Sequence, residues 1–177
     1  MIKINMSCGK RNFGKDWLHI DKGDYDHLSH NDIFNFPYKD VDLIYASHLI
    51  EYFDDSEVKS LLDYWFLKLK VGGILRLAVP NFESISKLYT NGMNLDFFIG
   101  LLYGKMDMAG TKIYHRTVYD YKKLHKTLSN SGFSNISLWD HKQVDHGKYD
   151  DHSQAYIPHM DKDKGTLMSL NVQCSKE

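Results

Sequence analysis

The chain has 177 residues, 42% of them apolar and 25% charged, the balance of a folded globular domain rather than a disordered segment. Twenty-two Lys and Arg stand against 23 Asp and Glu, so a net charge of −1 argues against a protein that grips nucleic acid or anionic membrane through bulk positive charge. No apolar stretch approaches the ~20 residues of a membrane span. The N-terminus lacks a signal-peptide plan, and the two cysteines, Cys8 and Cys174, suit a reducing compartment; a single cytoplasmic domain over residues 1–177 is expected.

Short β-like runs alternate with turn signals in the first half. Lys3–Cys8 reads as a strand followed by the turn-rich Gly9–Gly14, and Trp17–Asp21 as a second strand ending in an acid. Leu28–Asp32 is a weaker third strand. Val41–His48 (VDLIYASH) is a nearly continuous apolar run, as a strand buried on both faces of a parallel sheet requires. A helix follows, opened by Asp54 with Glu57 three residues on, a capping-box spacing. Val58, Leu61, Leu62, Trp65 and Leu69 share one of its faces, and Gly72-Gly73 is its expected stop. Ile74–Val79 is the next strand, ended by Pro80. Strand, helix, glycine pair and strand make a βαβ crossover with parallel pairing.

Asn81–Tyr89 reads as a short helix, and residues 90–114 as a loop with a helical piece. A helix over residues 119–131 carries Tyr121, Leu124 and Leu128 on one face, with Gly132 as its stop. Ile136–Trp139 and Leu167–Gln173 are closing strands. Residues 141–165 between them are polar, rich in His, Asp and Lys, and long for a plain loop. The expected fold is α/β: a Rossmann-like, doubly wound, mostly parallel sheet with helices on both faces. Residues 1–90 form its cofactor half and residues 91–177 its substrate half.

In such a sheet ligands bind beyond the carboxyl ends of the strands. Ser7-Cys8-Gly9, Asp21, Asp32, and Ser47-His48 with Glu51 just beyond all fall at such ends. The order NMSCG (Asn5–Gly9), WLHID (Trp17–Asp21), HNDIFNFPYKD (His30–Asp40), VDLIYASHLIEYF (Val41–Phe53) and LKVGGILRLAVPNF (Leu69–Phe82) resembles the class I S-adenosylmethionine-dependent methyltransferases. The likeness covers residues 2–90, and the remainder follows by order of elements. It implies cofactor contacts by Ser7 and Gly9, ribose recognition by Asp21, an adenine contact by Asp32 with Ile33 beside it, and Ser47 and His48 bordering the methionyl portion.

The chain departs from that pattern where Asn5 replaces the usual acid and Ser7 the first glycine. Gly9–Asp16 leaves little room for the usual helix, and the lid helices that often precede the first strand are expected to be absent. An open pocket with weak binding, or a site completed by a partner chain, is expected.

Methyl transfer from a sulfonium needs alignment and removal of the acceptor's proton, and histidine's pKa of ~6.5 suits the second task. His48 is the first candidate base and His115 the second; Arg116 would hold an anionic group of the acceptor, and Tyr156 would stack on it. Glu51 reads equally as a group favouring the positive start of the next helix. The spacing of His141, His146, His152 and His159 matches no familiar ligand set, so no metal is expected.

The acceptor is expected to be a small molecule or sugar, with no nucleic-acid or membrane partner; a dimer is compatible with the sequence but not selected by it. The alternatives are a non-catalytic adenosyl-binding module, an NAD-dependent oxidoreductase and a metal-dependent hydrolase. Gly9–Gly14 does not form the G-x-G-x-x-G turn of the oxidoreductase.

Overall fold

A computed structural model describes residues 1–108 and 110–177. Six strands form the central sheet in the order β2-β1-β3-β4-β10-β7. β1 (Lys3–Met6) pairs in parallel with β2 (Leu18–Ile20) and with β3 (Val41–Ser47). α1 (Asp55–Lys68) crosses over to β4 (Leu69–Pro80), parallel to β3. Beyond β4 come α2 (Phe82–Thr90), α3 (Ile99–Tyr103), a hairpin of β5 (Met106–Met108) and β6 (Thr111–Ile113), α4 (Tyr121–Asn130) and β7 (Ser134–Leu138). β8 (Tyr156–Ile157) and β9 (Thr166–Leu167) form a small ladder, and β10 (Ser169–Ser175) inserts antiparallel between β4 and β7.

Alternation along the strands divides the core in two. Ile4, Met6, Ile20, Ile44, Ala46, Leu75, Leu77, Val79 and Val172 pack on one face against Val58, Leu61, Leu62 and Trp65 of α1 and Leu124 and Leu128 of α4. α1 starts as its sequence dictates: the Asp54 carboxylate accepts from the Ser56 and Glu57 amides, and Glu57 returns the bond to the Asp54 amide.

The opposite face carries Tyr45 and Ala78, covered by Phe13, Trp17 and Trp139. Here the helices are single 3₁₀ turns, His141–Gln143, Asp145–Lys148 and His152–Gln154, strung along the polar segment. That segment is docked rather than free. Tyr149 and His146 stack on Phe13, and Arg76 bonds both His146 and Gln173.

Three local expectations are corrected. Leu28–Asp32 forms no strand: Ser29 makes one backbone bond to His19, and His30 then turns to a φ of 52°, which breaks a ladder. Gly72-Gly73 does not stop a helix, because α1 already ends at Lys68 and the pair lies inside β4, at the register shift against β3. A Cβ on Gly73 would lie 2.8 Å from the Val41 carbonyl oxygen, so the bulge needs glycine there. Residues 90–114 contain α3 and the β5–β6 hairpin in addition to loop.

Candidate functional site

The carboxyl ends of β1, β2, β3 and β4 open on one edge of the sheet, and no α-helix separates β1 from β2. Met6 pairs with Ala46, so Ser7 and Ser47 leave the sheet side by side. Ser7 and His48 both hold positive φ, 51° each. Two non-glycine residues thus take this costly region on adjacent strand ends.

The glycine loop is tied to the second strand. The Ser7 amide donates to the Ile20 carbonyl at 2.7 Å, and the Gly9 amide to Asp21 Oδ2 at 2.6 Å. Asp21 Oδ1 accepts from the Lys22 amide, also at 2.6 Å. A carboxylate has about four acceptor positions, so two bonds leave it capacity for a diol. A Cβ built on Gly9 would meet no atom within 4 Å, so the space in front of the loop is open. Asp32 closes its own turn by accepting from the Phe34 amide and lies 3.8 Å from the Lys22 ammonium. Ile33 packs against the core, with its carbonyl bonded by Trp65. Cys8 is buried, which pushes its thiol up to about 12, so it is no nucleophile.

Beyond β3 three side chains meet that are far apart or only weakly linked in sequence. The Glu51 carboxylate is 1% exposed and has no hydrogen-bond partner for either oxygen among the described residues. His48 Nδ1 lies 3.7 Å from Glu51 Oε1, and His115 Nε2 lies 3.8 Å from the same oxygen. Burial pushes the Glu51 carboxyl up to about 8. Burial likewise lowers the pKa of both histidines, and each is lowered further or partly restored by its surroundings: the His152 and His115 rings depress His48, and the Leu101 carbonyl supports His115. The cluster therefore carries little charge near neutral pH. His115 reaches it because Gly104 has no side chain; a Cβ there would fall 1.9 Å from His115 Nε2.

His48 Nε2 points to Ser169 Oγ at 3.4 Å, and its ring packs against that of His152, centroids 5.1 Å apart and planes tilted by 33°. Ser47 Oγ is buried and unpartnered among the described residues. Arg116 pairs with Glu57 at 2.7 Å on the exposed start of α1, while its backbone amide bonds the Glu51 carbonyl. The Tyr156 hydroxyl is bonded to His141 at 3.0 Å. The structure thus gathers Ser7, Gly9, Asp21, Ser47, His48 and His115 around one edge. Arg116 and Tyr156 are instead engaged with neighbours of their own.

The sequence reading did not pair Glu51 with both histidines, and it weighed His152 only as a metal ligand, not as a neighbour of His48. A clue to Glu51 was present: it is the lone acid in an apolar run, one turn after His48. Among the described residues no group of three His, Cys, Asp or Glu side chains is arranged to hold a metal ion, the His-rich segment 141–165 included. No described helix is long and apolar enough to cross a membrane.

A mostly parallel sheet with antiparallel β10 inserted next to β4, and with Ser7, Asp21 and Ser47 at its carboxyl edge, has the arrangement of the class I S-adenosylmethionine-dependent methyltransferase fold. This chain shares that fold with solved S-adenosylmethionine-dependent methyltransferases. An S-adenosylmethionine-dependent methyltransferase from Archaeoglobus fulgidus matches it with a TM-score of 0.58 at 14% identity, over 99% of this chain and 86% of that one. One from Methanosarcina mazei matches at 0.56 and 13%, over 99% and 92%. Human N-acetylserotonin methyltransferase, solved with S-adenosylmethionine, matches at 0.57 and 12%, over 99% of this chain; the chain spans about half, 47%, of that protein. No family model matches the sequence, and no curated protein is significantly similar to it.

Proposed function

We propose that the protein is an S-adenosylmethionine-dependent methyltransferase acting on an oxygen or nitrogen of a small molecule or sugar. The observation that carries this reading is the Gly9–Asp21 bond beneath an open loop face, because it presents a carboxylate edge where a nucleoside's ribose diol would lie. Ser7 and Gly9 allow close approach, Asp32 and Ile33 border the adenine side, and the unpartnered Ser47 hydroxyl faces the methionyl side. The cofactor supplies a methyl group on a cationic sulfur. The chain aligns the acceptor and removes its proton.

His48 and His115 are held neutral beside Glu51, the state a proton acceptor requires. Arg116 could reach an acceptor only by leaving Glu57, and Tyr156 only by leaving His141. The net charge of −1 disfavours nucleic acid as the acceptor. Asn5 and Ser7 in the loop support a second reading, a module that binds an adenosyl ligand without turnover.

Calorimetric titration with S-adenosylmethionine and S-adenosylhomocysteine, with NAD as control, tests the proposal. Micromolar binding of both adenosyl ligands that is lost in Asp21→Ala supports it, and absence of adenosyl binding by folded protein overturns it. Release of S-adenosylhomocysteine with an acceptor separates enzyme from binding module.

A further inference from the structure

Of the histidines at the ligand edge, His48 and His115 are buried, with side chains 9% and 5% exposed. His152 differs from both. Its residue is exposed, and its ring nitrogens make no hydrogen bond among the described residues. The ring lies against that of His48, with centroids 5.1 Å apart and planes tilted by 33°, and the His48 backbone leaves the carboxyl end of β3.

The ring is also held in place. Asp151 caps the 3₁₀ turn that begins at His152, with Oδ1 accepting from the Ser153 amide at 2.8 Å. Asp151 Oδ2 accepts from the buried Tyr45 hydroxyl of β3 at 2.5 Å. Asn171 of β10 donates to the Ser153 carbonyl at 2.9 Å, so the turn is bonded to two strands of the sheet. Arg11, two residues past Gly9, donates to the Asp150 carbonyl at 3.1 Å and joins the glycine loop to the same turn. A site built on such anchors places its groups more closely than a free loop can.

We propose that His152, rather than the buried His48 and His115, is the catalytic residue that faces the acceptor and takes its proton. This rests on the methyltransferase reading above. As the acceptor's O–H or N–H bond breaks, its proton passes to a His152 ring nitrogen; the acceptor's electron pair forms the bond to the methyl carbon, and the pair of the broken carbon–sulfur bond stays on sulfur. The proton then leaves His152 for water, to which the ring is open.

The groups facing His152 favour the basic form. Crowding against the sheet and the Arg11 guanidinium lower its pKa, opposed by the Asp151 and Asp150 carboxylates. His48, the fourth neighbour, is itself held neutral. A neutral imidazole with free nitrogens is the form that accepts a proton.

Footprinting with diethyl pyrocarbonate, read by peptide mass spectrometry, tests the placement independently of any acceptor. His152 is expected to react about ten-fold faster than His48 and His115, whose burial requires local opening before attack. Saturating S-adenosylhomocysteine, its binding confirmed by calorimetry on the same sample, should slow His152 modification by about five-fold or more, since ligand seated at the reacting centre covers the ring. Bound S-adenosylhomocysteine that leaves the His152 rate unchanged would overturn the role of His152 and leave the methyltransferase reading intact. Equal reactivity of His48 and His152 would overturn it too. Failure of S-adenosylhomocysteine to bind would overturn the methyltransferase reading, and this proposal with it.

Discussion

The Tyr45 hydroxyl donates to the Asp151 carboxylate at 2.5 Å across 106 residues of sequence, and both groups are buried. This bond fastens the polar segment to the middle of the sheet. It also explains how β3 tolerates a tyrosine that is fully enclosed, since a buried phenol needs a partner.

Tyr45→Phe keeps the ring and removes only the donor, leaving the Asp151 carboxylate short of one bond in a buried setting. Stability should fall by about 1–3 kcal/mol, the cost of a buried polar group left unsatisfied. Urea denaturation followed by fluorescence would read this. A loss below a few tenths of a kcal/mol would mean that the segment is held by its stacking on Phe13 instead.

Glu51 should make stability fall with rising pH. Its folded pKa, pushed up to about 8, lies above the ordinary value of 4.5, so between these limits the folded state holds a proton that the unfolded chain has released. The Glu51 contribution should therefore decline from about pH 4.5 to 8 with a limiting slope of roughly 1.4 kcal/mol per pH unit and level off above, while the buried histidines add the opposite trend below about pH 6.5. Glu51→Gln removes this dependence. It should match the parent near pH 5 and exceed it at pH 8 in denaturation midpoint; an unchanged pH profile would show that the Glu51 carboxyl is already charged in the fold.

Gly104→Ala should displace His115. The added Cβ would sit 1.9 Å from Nε2, and the backbone there holds a φ of +53°, so neither ring nor chain accommodates it without moving. A loss of about 2 kcal/mol or more is expected. His115→Ala in the same background should recover part of that loss, and additive losses would contradict the close approach.

Asp21→Ala should weaken S-adenosylhomocysteine binding by about ten- to a hundred-fold, the loss of charge-assisted bonds together with the anchor of the Gly9 amide. Asp21→Asn keeps an acceptor for one donor and should fall between. Arg116→Ala, which breaks only an exposed pair with Glu57, should alter stability by less than about 1 kcal/mol.

Local chemistry made much of the scaffold legible. The run Val41–His48 could only be a buried strand, and the Asp54–Glu57 cap with the 3.6-residue stripe behind it fixed α1. Small or acidic residues just past each apolar run fall at the carboxyl edge of the sheet. Gly72-Gly73 misled because a glycine pair after a helical stripe signals a stop, whereas here a strand bulge against the Val41 carbonyl requires it.

From its own residues the sequence determined the apolar faces, the strand–helix–strand order and the positions of Ser7, Gly9, Asp21 and Ser47 at strand ends, because each depends on spacing within a few residues. Tertiary structure alone decided which groups meet there. The Glu51 contact with His115 spans the α1–β4 crossover and the helices beyond it, and the packing of His152 against His48 depends on the segment's docking to Tyr45 and Asn171. Such contacts leave no local period, since they form only when burial of Phe13, Trp17 and Trp139 folds a polar segment onto the sheet.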